Sequence, residues 1–177
     1  NSTAFPFVNS GTVQVEEGSL RIEAAVSSDA GSWKVEDGAD LQLRDVQTGA
    51  GSSISGPGSV VFDGGNSFLT GGYTINTTTT TLAHLRFDAV HPVSFPVLVV
   101  GENSSVGGST ALSVAGALTW AGSIHGDMAS HVFGLDSGAE GMAPENAQFQ
   151  LSRRTFNNSG RFVWAGGITP EDSVFGL

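Results

Sequence analysis

The 177 residues include no cysteine, one lysine, one tyrosine and six prolines. Without cysteine there is neither a disulfide framework nor a thiolate metal site. Secretion stays open, because a large repetitive core needs no covalent staples. Seven Lys and Arg face 17 Asp and Glu, for a net charge of −10. Phosphate binding requires clustered cations, and only Arg153 and Arg154 are adjacent, so nucleic acid is excluded as a partner. No apolar run approaches the roughly 20 residues of a spanning helix, so no membrane insertion is expected. No segment repeats apolar residues at i, i+3, i+4 and i+7 over several turns, which excludes an amphipathic helix.

What remains is glycine and the hydroxyl residues. There are 25 glycines and 36 serines and threonines, beside 11 phenylalanines and 39% hydrophobic residues overall. Glycine at this level without a collagen triplet implies many turns between short strands. The apolar content is too high for disorder.

Five segments align as a repeat. They are Gly11-Thr-Val-Gln-Val-Glu-Glu-Gly18, Gly31-Ser-Trp-Lys-Val-Glu-Asp-Gly38, Gly58-Ser-Val-Val-Phe-Asp-Gly-Gly65, Gly116-Ala-Leu-Thr-Trp-Ala-Gly-Ser123 and Gly160-Arg-Phe-Val-Trp-Ala-Gly-Gly167. Apolar residues two apart share one face of a strand, and the flanking glycines suit sharp corners. Hairpins would recur every 8–12 residues or so. Coils of about 20–22 residues instead predict an all-β, right-handed parallel β-helix, a β-solenoid whose coils stack in parallel. The 58-residue interval from Gly58 to Gly116 is read as one intermediate coil at Val97-Leu98-Val99 plus a protruding loop, Asn76 to Ala83. A second protruding loop is expected from Asp136 to Ala147. The chain opens at Asn1 without an initiator Met or signal peptide, so residues 1–177 read as a single solenoid segment of a longer chain or assembly. Apolar residues near both ends (Phe5, Phe7, Val8, then Val174, Phe175, Leu177) point to further coils or neighbouring copies stacked end to end.

Trp120-Ala-Gly-Ser-Ile-His-Gly126 and Ile54-Ser-Gly-Pro-Gly58 share an Ile-x-Gly step, and Asn9-Ser-Gly11 recurs as Asn158-Ser-Gly160. In these tracts the chain resembles the repetitive secreted β-helix proteins: haemagglutinin-like adhesins, autotransporter passengers and related surface repeats. Asp127 and Met128 interrupt the glycine expected from the family pattern. The resemblance implies exposure on or outside a cell and adhesive or structural roles, and it carries over no catalytic residue.

Candidate sites are sparse. Glu16-Glu17 and Glu36-Asp37 occupy equivalent motif positions, and Asp63 is read as continuing their column, so stacking would set these carboxylates about 5 Å apart. The column is either a solvated acidic edge, a weak calcium site or an acid/base pair. No cofactor is expected beyond a weakly held calcium. Trp33, Trp120 and Trp164 sit at apolar motif positions and are assigned to the core. His84, His91, His125 and His131 show no metal-ligand spacing. The Thr77–Thr81 run does not recur at coil spacing, against an ice-binding ladder, and is read as loop. Sequons at Asn1, Asn76, Asn103 and Asn157 are glycan acceptors if the protein is secreted by a eukaryote. The expected function is a non-enzymatic structural or adhesive module at the cell surface or beyond it. A carbohydrate-active β-helix enzyme or a glycan-binding module is the alternative.

Overall fold

The computed structural model describes residues 6–145 and 147–165. These form a β-solenoid of about 8 turns, all-β and without a helix. The first strands are β1 (Phe7–Val8), β2 (Thr12–Val15), β3 (Ser19–Ile22), β4 (Val26–Ser28), β5 (Ser32–Val35), β6 (Asp40–Leu43) and β7 (Val46–Thr48). Long bent strands follow as β8 (Ser53–Leu69), β9 (Gly72–Phe87) and β10 (Val93–Val100). Then come β11 (Ser105–Gly108), β12 (Leu112–Trp120), β13 (Ser123–Gly126), β14 (Val132–Leu135) and β15 (Glu140–Ala143). The last are β16 (Gln150–Ser152), β17 (Thr155–Asn158) and β18 (Arg161–Trp164).

Each coil lays down three strand segments, and equivalent segments pair in parallel from coil to coil. One face stacks β2, β5 and the openings of β8 and β9. It continues through the openings of β10 and β12 into β14 and β17. A second face runs β3, β6, the middles of β8 and β9, the ends of β10 and β12, then β15 and β18. A third face runs β1, β4, β7, the ends of β8 and β9, then β11, β13 and β16. Alternation along each strand puts one set of residues inside, including Trp33, Val35, Leu41, Phe62, Leu85, Phe95, Leu98 and Phe133. Backbone pairing joins each coil to its neighbours, and the core is one continuous apolar column.

Trp33 and Trp120 are fully buried, as expected. Trp164 is half-buried, with its ring edge-on to Phe149 at 5.0 Å.

Two expectations about organisation are overturned. The Thr77–Thr81 run is no loop: it lies inside β9, pairing with Ser59–Asp63 of β8, and its first four residues also pair with Val97–Val100 of β10. Thr78 and Thr80 occupy the inward positions held by Val60 and Phe62 one coil earlier, and both are fully buried. Buried hydroxyls require partners. Thr78 bonds the Tyr73 hydroxyl at 2.8 Å, and Thr80 donates to the Val99 carbonyl at 3.4 Å. Two coils, not one, therefore fill the interval between Gly58 and Gly116, with Asn76 and Pro96 standing where the motif has glycine. The segment from Asp136 to Ala147 likewise contributes β15 to the stack. Residues 147–149 lie outside any strand.

The five aligned copies also prove to be two sets. Those beginning at Gly11 and Gly31 lie on the first face, and those beginning at Gly58, Gly116 and Gly160 lie on the second. Glycine is obligatory at a few corners. Gly56 has φ +134°, and a Cβ there would overlap the Val35 carbonyl of the preceding coil. At the ends, Phe7 and Val8 are exposed, 37% and 70%. Phe5, Val174, Phe175 and Leu177 lie outside the described residues.

Candidate functional site

The acidic column is shorter than its sequence implies. Glu16-Glu17 and Glu36-Asp37 do stack at the corner between the first and second faces, each pair followed by a positive-φ glycine, Gly18 or Gly38. In the next coil that corner is Gly56-Pro57-Gly58, which carries no charge. Asp63 follows the second face, not the first, and its carboxylate accepts from Arg21 at 3.1 Å. Glu36 accepts from the Gln14 amide at 2.9 Å. Among the described residues no three His, Asp or Glu side chains converge to hold a metal ion. Of the sequon residues, Asn76, Asn103 and Asn157 are exposed, and Asn1 lies outside the described residues.

The side chains that do converge stand on the outward side of the third face. Two columns run down it in register: Asn66, His84, Ser105 and Ser123, and beside them Phe68, Arg86, Gly107 and His125. Coil stacking thus gathers residues about 20 positions apart in the chain. Small residues at Ser105 and Gly107 leave a cleft of about 240 Å³ between the larger side chains above and below. The His125 ring leans into the space over Gly107, where a Cβ would come within 2.6 Å of its Cε1 and Nε2. His84 Nδ1 lies 2.9 Å from the Ser105 hydroxyl.

Arg86, without a partner in the repeat pattern, is the centre of an ion network spanning three coils. Its Nη1 and Nη2 donate to both Asp127 oxygens at 2.7 and 2.6 Å, and its Nε donates to Asp88 at 2.5 Å. The hydrogen bonds it donates to Asp127 and then to Asp88 raise the guanidinium above its ordinary range. Arg86 in turn holds the Asp127 carboxyl below the usual carboxylate range. Partial burial pushes Asp88 up, but Arg86 and the Ser109 backbone and hydroxyl outweigh it and leave its carboxyl lowered.

Arg154 is the other residue that sequence reading missed. Its side chain turns inward at the corner before β17 and is only 6% exposed. It donates to the carbonyls of Gly108, Thr110, His125 and Val132 at 2.6–3.2 Å, lacing three successive coils together. Burial lowers its pKa to about 10, so it is charged at neutral pH. The paired arginines at 153 and 154 look equivalent in the chain, but one is exposed and the other is a clamp.

Burial, reinforced by the charges of Arg154 and Arg86 and opposed by Asp127, holds the His125 imidazole below its ordinary 6.5. The unfolded chain then binds a proton that the folded one refuses, so stability rises with pH in this window. Thermal stability is expected to fall as pH drops below about 6.5, the reference value for histidine, toward the lower folded value. His125→Gln should flatten that slope. Melting temperatures of both proteins between pH 7.5 and 5 check this, and parallel curves would refute it.

Chemically the site offers a hydroxyl on an imidazole (Ser105 and His84), a second imidazole, a neutralised guanidinium and an exposed phenyl ring. Among the described residues no carboxylate hydrogen-bonds His84, so the serine–histidine pair lacks the third group that orients a base for nucleophilic attack. The chain matches no family model, no curated protein and no solved structure.

Proposed function

We propose that the chain is a non-enzymatic structural or adhesive module of an extracellular assembly, a stiff rod that presents its faces for contact. The single observation behind this reading is the parallel coil-to-coil pairing that joins every strand from β1 to β18 into one stack. Stacked backbone hydrogen bonds and a continuous core resist bending, and bulky loops that would interrupt lateral contact are few. Exposed Phe7 and Val8 on the first described strand are consistent with further coils or neighbouring copies adding end to end. Exposed Asn76, Asn103 and Asn157 are consistent with a secreted, sugar-bearing surface.

The second reading is a carbohydrate-active enzyme, favoured by the hydrogen bond between Ser105 and His84. One experiment separates the two. The purified chain, immobilised on beads, should retain cells or extracellular matrix while releasing no new reducing ends from a polysaccharide panel. Cleavage that disappears in His84→Ala would overturn the module reading.

A further inference from the structure

The outward side of a solenoid face is usually polar, because alternation sends the apolar set inside. Phe68 breaks that rule. It stands outward on the third face, 43% exposed, between Gln47 above and Arg86 below. It supplies one flat apolar wall to the cleft, and such a wall is complementary to the C–H face of a pyranose ring.

The rest of the cleft completes the match. Ser105 and Gly107 keep its floor low, which gives a concave seat in an otherwise flat sheet. The Asn66 amide and the imidazoles of His84 and His125 are planar groups able both to donate and to accept, as vicinal hydroxyls require. With Nδ1 of His84 taken by Ser105, its Nε2 is left to face a ligand. The charge pattern then selects among ligands. Arg86 is neutralised by two carboxylates, Asp88 and Asp127, so the cleft has no net positive charge to offer an acidic sugar or phosphate.

We propose that the third-face cleft is a binding site for an uncharged saccharide, seated against Phe68 and held by Asn66, His84 and His125. The proposal rests on the adhesive-module reading and names the class of ligand that the module contacts.

The test is calorimetric titration of the full chain at pH 7.5 with neutral gluco-, manno- and galacto-oligosaccharides, beside uronic-acid counterparts. At least one neutral sugar should bind, with affinity reduced tenfold or more in Phe68→Ala and separately in His84→Ala. Both variants should melt with the parent, since both side chains point outward. The proposal is overturned if no neutral sugar binds up to about 10 mM, if the acidic sugars bind more tightly, or if both variants bind like the parent. Bead adhesion measured on the same variants keeps the two readings apart. Adhesion without neutral-sugar binding removes the saccharide site and leaves the module, whereas sugar binding without adhesion does the reverse.

Discussion

Arg154→Ala is expected to lower folding stability by about 3 kcal/mol, because it leaves buried carbonyls without donors. The guanidinium bonds four carbonyls drawn from three coils, and those of Gly108 and Thr110 are in buried contacts. Water can replace a donor at the part-exposed His125 and Val132 carbonyls but is poorly placed to reach the other two. No carboxylate of the described residues pairs with Arg154, so the charge itself is buried at a cost and the hydrogen bonds repay it. Arg154→Lys should recover less than half of the loss, since one ammonium cannot span acceptors in a planar fork arrangement. Urea denaturation at pH 7 measures both variants. A loss below about 1 kcal/mol for the alanine variant would show that the clamp is dispensable.

Trp120→Ala should cost about 3–5 kcal/mol, the range for deleting a large buried ring. The indole fills the interior of the later coils, with ring centroids 5.1–6.1 Å from Phe133, Phe149, Phe156 and Phe162. Its Nε1 donates to the Gly122 carbonyl at 2.9 Å, so the polar edge is satisfied too. The residues stacked beneath its strand, Gly141 and Ala143, are small, and the large ring occupies the room they leave. Parallel pairing pins the backbone on all sides, so the cavity cannot collapse. For a chain of this size the loss corresponds to roughly 10 °C or more in Tm. Because backbone pairing joins each coil only to its neighbours, the damage should be local. Amide exchange should accelerate in β14, β15, β17 and β18 while β5 and β6 stay protected. Uniform acceleration along the whole chain would contradict the one-dimensional coupling.

These two residues differ in how far the sequence reveals them. Trp120 is legible: it sits two residues after Leu118 in an alternating strand, and alternation assigns it inward. Arg154 is not, because nothing local separates it from Arg153. Its four acceptors lie 22 to 46 positions away along the chain. The threonine run was hidden for another reason. Five polar residues look like loop, yet β-branched side chains suit a strand, and Thr78 finds a buried hydroxyl partner in Tyr73. Burial raises the Tyr73 hydroxyl pKa, with the Thr78 bond working in the opposite sense, so it is a neutral donor or acceptor in the core.

From the sequence alone came the solenoid itself, the parallel stacking, the buried positions of Trp33 and Trp120 and the stacking of Glu16 on Glu36. All of these follow from period-two alternation and a coil length near 20, which are local properties of the chain. Only the tertiary structure decided which of three faces each strand occupies, because the same alternating pattern serves all three and carries no mark of which one it is. That choice sends Asp63 to Arg21 and away from the acidic corner. It also stacks Ser105 on His84, and sets Phe68, Arg86 and His125 in the column beside them. Register between coils is set by how the inward side chains fit against those above and below. The cleft is therefore a product of packing across coils, which no single segment of the chain encodes.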